Sequence, residues 1–441
     1  MRSVKILLVV TFALAAIASA RASNPYQTEA DLIASGHPSH AYSNLRPKLI
    51  GSAGNPQFDT LFGLAALDSG APAEAITAFE RVLALQPDNL PVRTELARAY
   101  AQLGDPAAAK RELDIVTTNP ATPANVKHNL SSYASVLEES LRGGPRTFHA
   151  TVTAGTGYDT NINTATASSY LVVPALSALG PARIEDGTRA QSSAFTQLAA
   201  TGTVRQPLSP ATALFASLSA DTKTPFETSD YAHTTLTAEA GTQFFRPEGD
   251  IFTLGASAQQ FWFGGDDYST TYALNGSWHN PLSASTSLTP YLSVSHINYE
   301  TGLPDAHRIV LGSSLTHRLP TSMPTTLIAG LYGGYEESEG TTADHFSHNI
   351  YGGQFGIEVF PTTNLALFTE TRLEHRAYSA PYPLFLANRS DTQLDLSTGL
   401  TYALTKGLSL RPSISYRHAS SNVGFFNYSR WLTQLNLRYT L

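Results

Sequence analysis

The chain of 441 residues contains no cysteine. That excludes thiolate nucleophiles, disulfides and cysteine-ligated zinc, and it suits export into an oxidising space where a stray thiol is a hazard. Charge is scarce too: Asp, Glu, Lys and Arg make up 14% of residues, and the net charge is -7. No basic stripe runs along the chain, so nucleic acid is not expected as a partner. No long apolar run follows the first twenty residues. Catalytic signatures are missing as well, among them His-Glu-x-x-His, a phosphate-binding Gly-x4-Gly-Lys, a Gly-x-Ser-x-Gly elbow and a dinucleotide fingerprint after a strand. The expectation is therefore no enzyme, no catalytic residue, no metal ligand set and no cofactor. What remains is rich in Ser, Thr, Ala, Gly, Leu and Tyr, the mixture that amphipathic strands average to.

The first residues carry a compartment signal. Arg2 and Lys5 precede an apolar stretch over 6–17, and Ala18, Ser19 and Ala20 then form a small-x-small cleavage pattern, with Ala20, Arg21 and Ala22 as a second option. This predicts a signal peptide over 1–22, cleaved after Ala20 or Ala22. Roughly 12 apolar residues are too few to cross the ~30 Å hydrocarbon layer. No cysteine follows the cleavage site, so the mature chain is not expected to be a lipoprotein.

A helical repeat is expected over 23–142. Gly36, Gly70 and Gly104 lie 34 apart, as do Pro38, Pro72 and Pro106, then Ala41, Ala75 and Ala109, and finally Leu45, Phe79 and Leu113. The glycine ends one helix with a positive φ and the proline begins the next, where its missing N–H costs nothing. The alanine column lets the two helices approach. The period and pattern resemble the tetratricopeptide repeat, with Gly63 where the helices pack closest, Ala75 and Phe79 on the second helix, and Pro87 closing the repeat. About three repeats and a closing helix over 123–141 approach the minimum for a continuous core. By that resemblance Gln57, Thr60, Thr94, Arg98 and Gln102 line a client-binding groove; the plainer reading is a solvated helix face.

After the linker 143–146 the apolar period changes from 3.6 to 2. In the last segment Trp431, Thr433, Leu435, Leu437, Tyr439 and Leu441 share one face, with Gln434, Asn436, Arg438 and Thr440 on the other. Glu370, Arg372, Glu374 and Arg376 occupy one face of another segment. A soluble sandwich cannot bury four such charges in a row, whereas a hydrated lumen holds them. The pattern predicts an antiparallel outer-membrane β-barrel over 147–441, with strands at about 147–158, 192–205, 211–222, 231–246, 250–263, 269–279, 285–298, 306–317, 324–335, 345–360, 364–377, 391–404, 408–418 and 427–441. Six short connections are expected to face the periplasm and seven to face outside, the first, over 159–191, being the longest. A barrel of about fourteen strands leaves a narrow aqueous path unless loops plug it.

Together these features resemble the surface lipoprotein assembly modulator (Slam) family, the outer-membrane component of type XI secretion. Gly157-Tyr-Asp-Thr-Asn-Ile-Asn163 is similar to the family's Gly-Tyr-Asp-x-Asn-x-Asn opening, and Arg417, Ser421, Asn422, Tyr428 and Arg430 are similar to its closing pattern. In a closed barrel the last strand pairs with the first, so Tyr158, Asp159, Asn161 and Asn163 should meet Arg417, Asn422, Tyr428 and Arg430 at the outer end of the seam. Asp159 is expected to pair with Arg417 or Arg430. The cluster is then either a structural closure or a lateral gate.

The resemblance implies an outer-membrane translocon with its helical domain in the periplasm, passing a client surface lipoprotein or secreted protein to the barrel. Periplasmic chaperones, the barrel-assembly machinery and outer-membrane lipid are the other expected partners. A polysaccharide exporter and a passive porin are the alternatives: exporters join longer arrays to a lumen of one charge sign, and a porin leaves the helices without a task.

Overall fold

A computed structural model describes residues 25–340 and 342–441. The expected signal peptide lies outside the described residues. The described residues divide into two compact units, 25–145 and 146–441.

The first unit is helical: α1 (Gln27–Ala34), α2 (Pro38–Leu45), α3 (Leu49–Ser52), α4 (Pro56–Asp68), α5 (Pro72–Leu85), α6 (Leu90–Leu103), α7 (Pro106–Thr118) and α8 (Ala124–Leu141). Local chemistry sets these boundaries. Gly36, Gly70 and Gly104 stand at φ of 81°, 85° and 89°, and the prolines that follow open α2, α5 and α7. Asn55, Asn89 and Asp105 cap α4, α6 and α7 through side-chain oxygens that accept from backbone N–H groups of the first turn. Leu45, Phe58, Phe62, Leu67, Phe79 and Leu113 are fully buried. Gly63 permits the closest approach, because a Cβ there would lie 2.4 Å from the Phe79 ring. Asp59, wholly buried, accepts from Arg81 at 2.6 and 3.1 Å and from the Gly54 N–H at 2.8 Å. It thereby locks α4 to α5.

The second unit is a closed barrel of fourteen antiparallel strands, the architecture and number expected. They are β1 (Thr147–Asp159), β2 (Ser193–Ser209), β3 (Thr212–Pro225), β4 (His233–Phe245), β5 (Ile251–Phe263), β6 (Asp266–Pro281), β7 (Thr286–Tyr299), β8 (Ala306–Leu319), β9 (Thr325–Ser338), β10 (His348–Thr362), β11 (Leu365–Tyr382), β12 (Ala387–Ala403), β13 (Leu408–Ser421) and β14 (Tyr428–Thr440). Sequential strands pair as hairpins, and β1 closes the sheet against β14.

The outer face is apolar. Leu198, Leu218, Leu254, Leu274, Leu311 and Leu331 are each more than half exposed, as side chains meeting lipid must be. Aromatics gather at both ends of this band: Phe148, Phe244, Trp278, Tyr402 and Tyr439 towards the rim of short turns, and Tyr158, Tyr335, Tyr351 and Trp431 towards the other. Among the described residues no helix is long and apolar enough to cross a membrane.

The second rim departs from expectation in one respect. Only its first connection, 160–192, is long, whereas β5 and β6 meet through Gly264 and Gly265 alone. These stand at φ of 65° and 96°, the pair of positive angles that a two-residue hairpin turn demands. The long connection holds a two-residue ribbon, Tyr170–Leu171 with Ala182–Arg183. It also reaches the β11–β12 connection, where the Ala175 N–H donates to the Leu384 carbonyl at 3.2 Å.

Removing one partner of a buried, hydrogen-bonded ion pair costs about 3–5 kcal/mol. Asp59→Ala is therefore expected to lower the midpoint at which the helical circular-dichroism signal is lost on heating, with the barrel's strand signal unchanged. An unaltered helical midpoint contradicts the role given to this pair.

Candidate functional site

The seam between β1 and β14 is the one pairing in the barrel between strands that do not follow one another along the chain. Its register runs from Thr151↔Thr440 to Asp159↔Leu432, shorter than the Thr147↔Arg205 to Asp159↔Ser193 ladder on the other side of β1. Extra bonds extend both ends. The Leu441 N–H donates to the Ala150 carbonyl at 2.8 Å, and the Thr160 N–H to the Trp431 carbonyl at 3.0 Å. The Trp431 N–H returns a bond to Thr160 Oγ1 at 2.8 Å.

At the loop-bearing end of this seam lies a buried ion cluster. Asp159 has no exposed surface. Its carboxylate accepts from Arg430 Nε at 2.9 and 3.1 Å, from the Arg430 terminal nitrogen, and from Lys223 Nζ at 2.6 Å. The Lys223 ammonium also sits 4.0 Å from the centre of the Phe195 ring, which is itself fully buried. Four adjacent strands, β14, β1, β2 and β3, thus meet around one carboxylate. Gly157 makes room for this: a Cβ there would lie 2.1 Å from the Thr433 carbonyl and 2.6 Å from the Phe195 ring.

The asparagines that follow organise the base of the long connection. Asn161 is buried, donates through Nδ2 to the Ala165 and Ser429 carbonyls at 2.9 and 3.1 Å, and accepts from the Ala165 N–H. Its own N–H donates to Asp159 Oδ1 at 3.0 Å. Asn163 donates to the Arg189 carbonyl and accepts from the Gln191 N–H. The spacing of the motif follows from this: one carboxylate for the seam, then two amides that satisfy backbone groups with no ladder partner.

The remaining seam candidates do not join the cluster. Arg417 pairs with Asp395 rather than with Asp159, and it lies against Tyr428. Asn422 ties its connection to β12, accepting from the Ser390 N–H and donating to the Asn388 carbonyl, both at 2.8 Å. Tyr158 faces outward and donates to Ser192 Oγ at 3.0 Å. Lys223 and Phe195 are absent from the sequence-derived set. The one signal for Lys223 is parity, since it shares the inward face of β3 with Ser217, Ser219 and Asp221.

The lumen has two unlike walls. On β2 to β7 the inward face is mostly small or uncharged, with Arg205, Asp221, Lys223 and Glu239 as its charges, and Ser293 donates to Asn275, which donates to Ser257, at 2.8 and 3.3 Å. On β8 to β14 it is charged. Arg308 pairs with Glu336, Arg389 with Asp391, and Arg376 with Glu374. The Tyr332 hydroxyl donates to Glu374 at 2.6 Å and accepts from Arg372 Nε at 2.9 Å. Of the four charges on β11, Glu374 and Arg376 are part-buried in this network, while Glu370 and Arg372 are exposed. A cavity of about 650 Å³ lies against this wall, lined by Gln354, Glu358, Glu370, Arg372, Asp395 and Arg411 among others.

On the helical unit the proposed groove residues differ in what they can offer. Thr60 and Thr94 donate to carbonyls of their own helices, Pro56 and Leu90, at 2.7 and 3.0 Å, so neither hydroxyl proton is available to a ligand. Arg98 bridges Asp68 and Glu95 at 2.7 Å each. Burial pushes the Glu95 carboxyl above its ordinary range, against the pull of Arg98. Gln57 and Gln102 are exposed and free to turn outward.

Asp159→Ala leaves Lys223 and Arg430 facing one another without their anion, at a cost of about 3–5 kcal/mol. The expected result is a lower urea midpoint for the barrel in detergent micelles, followed by tryptophan fluorescence, with partial recovery when Lys223→Met is added. Equal midpoints for the three proteins contradict the cluster's place in closure.

Residues 66–127 match the tetratricopeptide repeat model, and residues 149–437 match the surface lipoprotein assembly modifier model. No curated protein matches the chain. Among solved structures, the translocator domain of the autotransporter NalP from Neisseria meningitidis is 11% identical, with 72% of this chain and 96% of that chain covered and a TM-score of 0.28. An anion-selective porin from Comamonas acidovorans is 9% identical over 67% of this chain and 99% of that chain, at a TM-score of 0.35. A Pseudomonas aeruginosa FadL homologue is 10% identical over 67% and 90%, at 0.38. The family assignment rests on the sequence match rather than on these structures. Because that match takes in more than half of the chain, the protein belongs to the surface lipoprotein assembly modifier family, as an outer-membrane β-barrel with N-terminal tetratricopeptide helices.

Proposed function

We propose that the protein is an outer-membrane translocon that moves a client surface lipoprotein or secreted protein to the cell exterior. The observation that carries this reading is the union, in one chain of this family, of a tetratricopeptide match with a barrel whose lumen is polar and open along one wall. Tetratricopeptide arrays stack into concave surfaces suited to extended peptides. In this reading the helical unit is periplasmic and takes the client, directly or from a chaperone, through exposed side chains such as Gln57 and Gln102.

Transport rather than catalysis is what family and fold suggest. The cavity along β10 to β14, about 650 Å³, suits an extended segment and is far too small for a folded domain. The seam cluster keeps the barrel shut in the lipid while the client passes inside, and Asp159 is a structural residue in this account. The mixed charge of the wall, with Arg308, Arg372 and Arg417 interleaved among Glu336, Glu374 and Asp395, favours a polypeptide of varied sequence. A polysaccharide of one charge sign would call for one sign of lining.

The test is co-expression with genomic neighbours in a host that lacks them, scoring each neighbour for protease-accessible surface exposure. One neighbour is expected to become exposed only when this protein is present. Deleting residues 27–142 is expected to abolish that exposure while the barrel still shows heat-modifiable migration on electrophoresis. Exposure undiminished by the deletion contradicts client capture by the helices, and altered solute uptake in place of exposure supports a porin.

A further inference from the structure

We propose that His296, His307 and Glu339 form a binding site for a zinc-class transition-metal ion on the outer face of the barrel, at its loop-bearing rim. His296 near the end of β7 and His307 near the start of β8 are direct cross-strand partners, so their imidazoles emerge side by side on one face. Their ring centroids are 4.6 Å apart. The same face carries Val294, Ile309 and Leu311, each exposed as lipid-facing residues are. Two imidazoles and a carboxylate therefore stand where the apolar rows end.

Glu339 is held in place by its backbone. Its N–H donates to the Asp305 carbonyl at 2.7 Å, which carries the β8–β9 ladder one step past Ala306↔Ser338. One carboxylate oxygen, Oε1, then lies 3.0 Å from His307 Nε2 and 3.8 Å from His296 Nδ1. The three ligand atoms lie within 4.8 Å of one another. Bonds of about 2.0–2.2 Å from zinc to imidazole nitrogen and carboxylate oxygen set tetrahedral neighbours roughly 3.3 Å apart. The two observed separations bracket that value, and a small rotation of the imidazoles completes the set.

A second observation separates this cluster from an ordinary hydrogen bond between a histidine and a glutamate. His296 Nδ1 is shut off from solvent and has no hydrogen-bond partner among the described residues. A buried polar atom without a partner costs free energy, and a metal ion at the shared point removes that cost while using the Glu339 oxygen and His307 Nε2 as well. Two imidazoles with one carboxylate suit zinc, nickel or copper rather than calcium or magnesium, which prefer all-oxygen shells. Glu337, the register partner of His307, adds negative charge beside the site. Three protein donors leave a fourth position for water or for a donor on an arriving molecule. An ion there would pin the start of the β9–β10 connection to the β7–β8 hairpin.

The test uses the full-length, untagged protein in detergent micelles, stripped with a chelator and titrated with zinc by calorimetry. Cobalt serves as a spectroscopic stand-in whose visible absorption distinguishes tetrahedral from octahedral coordination. The expected result is one ion per chain and a tetrahedral cobalt spectrum, with His307→Ala and Glu339→Gln each weakening zinc binding at least tenfold. His375→Ala, elsewhere on the outer face, should leave binding unchanged. All variants should keep heat-modifiable migration, since the site lies at the surface. Zinc binding no tighter in the wild-type protein than in a His296→Gln, His307→Ala double variant, or an octahedral cobalt spectrum, overturns the proposal.

Discussion

Closure of the sheet is the constraint on which the barrel depends. Inside lipid each backbone N–H and C=O must find a partner within the protein, so an open edge is not tolerated. Thirteen of the fourteen pairings join neighbours in the chain, and only β1 with β14 brings together distant segments. Around that pairing the sequence becomes most particular. Gly157 is bare because Phe195 and the Thr433 carbonyl occupy the space a side chain would need. Asp159 is buried because two cations from opposite sides of the seam converge on it. Such a cluster adds little net stability against an apolar alternative. What it contributes is specificity, since a slipped register would leave its charges buried and unpaired.

Much of this was legible in the residues, and the part that was not has identifiable causes. Period-2 alternation located the strands, yet their edges shifted: 192–205 became Ser193–Ser209 and 391–404 became Ala387–Ala403. Beyond the lipid the hairpins continue with both faces in water, where alternation carries no signal. The meeting of Asp159 with Arg430 followed from topology. The choice between Arg430 and Arg417 needed the register, which places those two arginines directly opposite each other. Two neighbouring guanidiniums each draw a separate carboxylate, Asp159 from β1 and Asp395 from β12. Lys223 arrives from two strands away, a distance that a motif read along the chain does not span. In the helices, Thr60 and Thr94 occupy groove positions by pattern, but pattern does not reveal that their hydroxyls bond back to their own helices.

The lumen extends the same logic from closure to passage. One wall holds side-chain hydrogen bonds such as the Ser293–Asn275–Ser257 chain, while the more highly charged wall holds ion pairs beside exposed groups such as Glu370 and Arg372. In the account proposed here the client slides along the charged wall, exchanging contacts with ions that already have partners, so no single contact is strong enough to trap it. In the same proposal the seam stays shut, because opening it would expose the buried Asp159 and its two cations to lipid.

A seam that stays closed and a seam that gates differ in one outcome, and a single cross-link decides between them. Thr156 and Leu435 are register partners across the seam, mid-strand and facing outward, and cross-strand partners fall within disulfide range. With no native cysteine to interfere, Thr156→Cys together with Leu435→Cys can be oxidised to lock β1 to β14. The account predicts that the locked barrel still brings its client to the surface as well as the reduced one does. Loss of surface exposure on oxidation, restored by a reductant, would contradict it and make the seam the route.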